Sequence, residues 1–167
     1  RHRQILVGRI TPFFKIKETN MNALIEKQAL KELVDTFSNL ADEKKVAEQM
    51  PLFTENAVVN TYIGGELVFA MTGRAEIENV FSTFLAPFHT VYHLNGQFTV
   101  TDLQADSAAA ITYCQVHLVE EKDGKNLMHS HSVRYQDRYV KQDGQWLIAH
   151  RVANFMISDT RELGTSA

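Results

Sequence analysis

A chain of 167 residues, 44% hydrophobic and 22% charged, is one domain's worth of polypeptide with side chains for a single core, which excludes disorder and fibrous repeats. A net charge of −3 is too mild to attract nucleic acid or an acidic membrane, and no run approaches the roughly 18 apolar residues of a membrane span. The single cysteine, Cys114, excludes an internal disulfide and fits a reducing, cytoplasmic setting.

The first segment is basic, with Arg1, Arg3, Arg9, Lys15 and Lys17 against Glu18. It lacks the long apolar stretch and small-residue cleavage site of a signal peptide. Met21-Asn22 reads as a start, so residues 1–21 are expected to be an N-terminal extension. From Asn22, a good N-cap, apolar residues recur at Leu30, Leu33, Val34, Phe37, Leu40 and Ala41, the spacing of an amphipathic helix. Asp42 follows, and Glu43 to Met50 predicts a short second helix that stops before Pro51. Ala57 to Ile63 and Leu67 to Met71 flank Gly64-Gly65 as a hairpin. Thr72-Gly73 opens a third helix, with Ile77, Val80, Phe81, Phe84 and Leu85 on one stripe and Pro87 after its end.

Beyond Pro87 the texture becomes that of long strands: Val91 to Thr101, Ala108 to Glu120, Leu127 to Val140 and Gln145 to Ser158. Asp123-Gly124 and Asp143-Gly144 are hairpin signals between them. Three helices followed by consecutive antiparallel strands predict an α+β domain, its helices on one face of a curved antiparallel sheet.

Strict alternation assigns the faces. In the first long strand His93, Asn95, Gln97 and Thr99 share one side, with Leu94, Phe98 and Val100 on the other. His129, His131, Val133, Tyr135, Asp137 and Tyr139 read as the wall of a polar-lined cavity. In the last strand Leu147, Ala149, Arg151, Ala153 and Phe155 share a face, and Trp146, Ile148 and Val152 fall on the opposite, outer face. An apolar outer patch would be left in water by a monomer, so a homodimer is expected.

Several side chains admit both a structural and a chemical role. Asp42 can cap the short helix or orient a base. His93 can be a core histidine satisfied by a carbonyl, or a proton acceptor near neutral pH. Arg151, between two small alanines, can pair with Asp137 or stabilise an anionic oxygen. Tyr135 is a half-buried aromatic or a donor into a pocket. His129 and His131 share a face but have no third ligand, so no metal is expected. Cys114, in mid-strand among apolar neighbours, lacks the electropositive surroundings of a nucleophile.

The order of elements resembles the SnoaL-like branch of the nuclear-transport-factor-2-like (cystatin-like cone) superfamily over about residues 22–160, with 161–167 as a tail. The superfamily includes polyketide cyclases, scytalone dehydratase, ketosteroid isomerase, bile-acid dehydratase and lindane dehydrochlorinase. The resemblance rests on Leu40-Ala41-Asp42-Glu43-Lys44, on His89-Thr90-Val91-Tyr92-His93, and on Tyr139 to Trp146 leading to Arg151. It implies an Asp42–His93 dyad with Arg151, acting as a lyase or isomerase on a small apolar ring compound. Tyr135 would assist, and no cofactor would be needed. Phe37, His131, Val133, Cys114, Val116 and Phe155 would contact substrate, with Leu33, Phe84 and Leu118 as further apolar walls. Phe37 replaces a lysine found in the dehydrochlorinase. Cys114 and Val116 stand where scytalone dehydratase has a second inward histidine, for which His131 would compensate. The rival reading is a non-catalytic ligand-binding or assembly module, such as a small oxygenase subunit, which predicts Asp42 and His93 held apart or a plugged pocket.

Overall fold

The computed structural model describes residues 13–164, with side chains from residue 20 onward. The start of the expected extension, residues 1–12, and the last three residues of the expected tail lie outside the described residues. The element order is α1 (Phe13–Asp42), α2 (Val46–Gln49) continued by a 3₁₀ turn (Met50–Leu52), β1 (Phe53–Ile63), β2 (Glu66–Thr72) and α3 (Arg74–Leu85). Four long strands complete it: β3 (Thr90–Leu103), β4 (Ser107–Lys122), β5 (Lys125–Gln142) and β6 (Gln145–Glu162). Helix α1 starts at Phe13, upstream of the expected Asn22, which is an exposed position inside the helix. Helix α2 begins later than expected because Lys44 adopts a left-handed backbone, φ 57°, that breaks the helical run.

The three helices pack on one face of a six-stranded sheet ordered β2-β1-β6-β5-β4-β3. All neighbours are antiparallel except β1 and β6, which run parallel. The hairpin turns form where the sequence places them. Gly64 and Gly65 have φ of 60° and 88°, Asp123-Gly124 52° and 74°, and Asp143-Gly144 51° and 79°. Two consecutive positive φ values match the right-handed twist of the flanking strands.

The helical stripe Leu30, Val34, Phe37 and Ala41 is buried against the sheet, where it meets Phe53, Ala57 and Val59 of β1, Ile77 of α3 and Ile148 of β6 in one core. Its outer end is tied down by Glu26, which accepts from Lys141 Nζ at 2.7 Å and from the buried Trp146 Nε1 at 2.6 Å. The Lys141 hydrogen bond, then that of Trp146, holds the Glu26 carboxyl below its ordinary pKa. Glu26→Ala is therefore expected to cost roughly 1–2 kcal/mol in urea unfolding, mostly by orphaning the indole N–H. A lowered carboxyl contributes stability above its unfolded value and loses it as the pH falls through the lowered one. The gap between wild type and variant should thus narrow under acid.

Bulges change the faces that strict alternation predicts. On β3, Asn95 pairs with Cys114 and Phe98 with Thr112, so three steps oppose two. Gly96 sits there with the Tyr113 carbonyl 3.6 Å from where a Cβ would be. Phe98 and Val100 consequently join His93 and Asn95 on the helix side, packing against the core, while Gln97 and Thr99 are exposed. On β6, Tyr139 pairs with Ile148 but Arg138 with His150, which makes Ala149 the extra residue. Trp146 and Ile148 therefore lie on the helix side with Arg151, Ala153 and Phe155, and both are buried within the chain. Of the expected outer apolar patch only the half-buried Val152 remains, so the argument for a homodimer built on that patch does not hold.

Candidate functional site

Helix α1 carries a second, polar stripe one step round from its apolar one, formed by Asp35, Ser38 and Asp42. It faces β3, whose His93 and Asn95 point to the helix side. Asn95 Nδ2 donates to Asp35 Oδ1 at 3.0 Å and to Ser38 Oγ at 3.0 Å. One turn on, His93 meets Asp42 twice: Nδ1–H donates to Oδ1 at 2.6 Å, and the backbone N–H donates to Oδ2 at 3.1 Å. Both carboxylate oxygens are thus engaged by one residue. Lys45, which makes no side-chain capping bond, stands at the cap of α2, so the capping role open to Asp42 is not the one it takes. Lys44 locks this corner by donating from Nζ to the Phe88 carbonyl at 2.8 Å and the Ala86 carbonyl at 3.2 Å.

A carboxylate can only accept, so the neutral ring carries its hydrogen on Nδ1 and a lone pair on Nε2. That ring lines a cavity of about 170 Å³ between the sheet and the helices. Val59, Met71, Val80, Phe81 and Leu118 make much of its apolar wall, and Phe37, Phe84 and Phe155 close it further. Ile63, Phe69 and Phe84, each about two-fifths exposed, mark the side that meets solvent.

Arg151 is 1% exposed. Its guanidinium lies between the rings of Phe37 and Tyr135, each 4.4 Å from the ring centroid. Nε and Nη2 donate to the two oxygens of Asp137 at 2.8 and 2.7 Å, and Tyr139 donates to the same carboxylate at 2.8 Å. Burial alone would lower the guanidinium's pKa, and the adjacent Asp137 charge outweighs it, leaving it raised. The structural ion pair is therefore real, but it spends only one edge of the fork. Nη1 is buried with no hydrogen-bond partner in the protein, and Arg151 lines the cavity. Burial pushes the Tyr135 hydroxyl well above its usual pKa, which keeps it protonated.

His131 lies two strands from His93 on the same face: His93 pairs with Val116, and Val116 with His131. Strand spacing puts the two backbones about 10 Å apart with Val116 between them. His131 Nδ1 is 2.8 Å from Ser158 Oγ, and its ring meets Phe155 edge-on at 5.2 Å. Burial, then His129 and His117 nearby, lowers its pKa, so the ring stays uncharged at neutral pH. A lowered histidine stabilises the fold above its unfolded value of about 6.5 and loses that contribution as the pH falls. Thermal melts from pH 8 to 5 should accordingly show His131→Gln falling less steeply than wild type; parallel curves would refute this.

Phe37, Val116, His131, Tyr135 and Phe155 thus all line the cavity, as do Phe84 and Leu118. Cys114, Val133 and Leu33 do not; they are buried in the core beside it. Burial pushes the Cys114 thiol up to about 12, which leaves it an inert thiol. His129 is turned to Glu120, at 2.8 Å, and Thr160, at 2.9 Å. Among the described residues no group of three or more His, Cys, Asp or Glu could hold a metal ion, and no helix is long and apolar enough to cross a membrane.

Two polar residues of the wall, Thr61 and Gln49, have no counterpart in the sequence reading. Gln49, 1% exposed at the end of α2, donates from Nε2 to the Phe37 carbonyl at 2.9 Å. Its Oε1 is left without a partner in the protein. A glutamine before Met50-Pro51 gives no sign of such burial; only an expectation that polar residues at a helix joint be accounted for would have singled it out.

Known structures share this architecture. A protein of Novosphingobium aromaticivorans DSM 12444, provisionally assigned as a scytalone dehydratase, superposes with a TM-score of 0.72 at 22% identity, over 89% of this chain and 94% of that one. Hexachlorocyclohexane dehydrochlorinase type 3 of Novosphingobium barchaimii LL02 gives 0.69 at 12% identity, over 88% and 96%. The beta subunit of a provisionally assigned aromatic-ring-hydroxylating dioxygenase of N. aromaticivorans gives 0.67 at 17%, over 86% and 95%. At such identities these likenesses establish the fold alone. No curated protein sequence matches the chain. A profile of the SnoaL-like domain matches residues 22–152, which is most of the polypeptide and every residue of the dyad, the ion pair and Gln49; the chain belongs to the SnoaL-like domain family.

Proposed function

We propose that this chain is a small-molecule lyase or isomerase in which His93, held by Asp42, removes a proton from a compact ring compound. The observation that carries this reading is the 2.6 Å contact between Asp42 and the Nδ1 of a histidine that lines an apolar cavity. With Nδ1 committed, Nε2 is the atom left to take a proton, and the Asp42 carboxylate stabilises the imidazolium that results. The electron pair released from the C–H bond either becomes a new double bond as a leaving group departs, or shifts onto a carbonyl oxygen before the proton returns elsewhere. In both cases negative charge develops away from His93, and Arg151, a wall residue whose Nη1 the protein leaves unpaired, would donate to it. The apolar wall excludes water from the reacting atoms. No step in this sequence requires a cofactor. The dehydratase and dehydrochlorinase named among the structural neighbours perform eliminations according to their own names, which supports elimination ahead of isomerisation. A non-catalytic binding module would use the cavity but would have no need of the dyad.

The test is incubation in D₂O with a panel of cyclic β-hydroxy ketones and halogenated cyclohexanes, followed by proton NMR. Loss of a ring C–H signal or appearance of an alkene is the expected result, and His93→Ala should lower the rate about 10²–10⁴-fold. Undiminished turnover by the variant would remove His93 from the mechanism. Absence of turnover and exchange across the panel, with binding retained, would favour the non-catalytic module.

A further inference from the structure

Two residues of the cavity wall each carry a buried polar atom that the protein leaves unsatisfied, and the two atoms are of opposite kinds. Gln49 offers an acceptor, Oε1, and Arg151 a donor, Nη1. Both residues are 1% exposed and both line the same cavity. The orientation of the glutamine is fixed by chemistry. The Phe37 carbonyl can only accept, so the amide NH₂ must face it, at 2.9 Å, and the oxygen must be the end left over. Arg151 is likewise fixed, because its Nε and Nη2 are held by Asp137 and its plane is clamped between two rings. Buried polar groups are almost always paired. Two exceptions on the wall of one small, mostly apolar hollow therefore specify what should enter it.

We infer that Gln49 and Arg151 form a polar subsite selective for an uncharged, hydroxyl-bearing ring, the hydroxyl hydrogen going to Gln49 Oε1 and an oxygen lone pair to Arg151 Nη1. This rests on the reading of the cavity as a small-molecule site and narrows its substrate class. Size sets the ring: a dry cavity of about 150 Å³ accommodates benzene, and this one has about 170 Å³. Charge excludes an anion. The guanidinium is already matched by Asp137, so no surplus positive charge awaits a carboxylate, and Gln49 Oε1 would repel one. A ring with an acceptor alone leaves Gln49 unpaired, and a bare ring leaves both groups so.

Calorimetric titration of the protein with phenol, fluorobenzene and benzoate tests this, since the three differ little in shape but present both functions, neither, or a charge. Phenol is expected to bind at least about tenfold tighter than the other two. Gln49→Met, which keeps the length of the side chain, should bring phenol close to fluorobenzene while leaving fluorobenzene unchanged. Equal affinities in the wild-type protein, or tighter binding of benzoate, would overturn the inference, as would a preference that survives in Gln49→Met. The wild-type series needs no substitution and decides the matter alone should that variant not fold. His93→Ala should keep the preference for phenol. Selectivity without turnover would leave this subsite standing and remove the catalytic reading, and turnover without selectivity would do the reverse.

Discussion

Asp137→Ala is expected to destabilise the protein by roughly 3–5 kcal/mol, because it leaves the Arg151 guanidinium buried and uncompensated. Asp137 is 2% exposed and Arg151 1%, so neither charge has recourse to solvent. The carboxylate takes both Arg151 bonds and that of the buried Tyr139 hydroxyl, so one substitution orphans three donors. The pair spans β5 and β6 at directly opposed positions, near the middle of the sheet, where local unfolding cannot relieve it. With a urea slope of about 1–3 kcal/mol/M, the midpoint should fall by at least about 1 M. Removing both charges in the double variant Asp137→Leu/Arg151→Met should cost less than Asp137→Ala alone, since apolar replacement of an ion pair is often neutral. A midpoint unchanged in Asp137→Ala would mean that Arg151 finds another partner.

Asp42→Asn should have its largest effect on turnover, lowering it about 10²–10⁴-fold on whichever panel compound the wild type converts. His93 presents two donors, Nδ1–H and its backbone N–H, to two carboxylate oxygens. Asparagine has a single oxygen. Either its NH₂ faces the backbone N–H and repels it, or it donates to Nδ1 and moves the ring hydrogen to Nε2, where no proton can then be accepted. In both arrangements the charge that would steady an imidazolium is gone. Stability should fall by only about 1–3 kcal/mol, the cost of one poorly met donor, so folded protein with little activity is the expected outcome. Full turnover in Asp42→Asn would show that His93 needs no orienting carboxylate.

Those two predictions draw on different levels of legibility. The resemblance of Leu40 to Lys44 and of His89 to His93 to family motifs pairs Asp42 with His93, and in the structure they touch. The choice between ion pair and ligand contact for Arg151 stays open in the sequence. The structure answers with both, because a guanidinium has two usable edges and Asp137 occupies one. Cys114 and Val133 have the parity of cavity residues yet lie off its wall, buried in the core beside it, since packing across the face, which parity does not encode, decides where open space remains.

What the sequence by itself determined was local: the helical stripes, the Asp-Gly and Gly-Gly hairpins and their φ signs, and the ends of α2 and α3 near a proline. These depend on residues a few positions apart and are set by sterics and by hydrogen bonding within the segment. The tertiary structure alone decided the bulges at Gly96-Gln97 and Ala149, the parallel pairing of β1 with β6, and the burial of Gln49. An inserted residue costs the strand one ladder contact, and its neighbours across the sheet, distant in the chain, determine where that cost is least. Because the period of a strand is two, one such insertion turned Trp146 and Ile148 from an imagined outer surface into core. It also set Arg151 beside them, in the wall of the cavity.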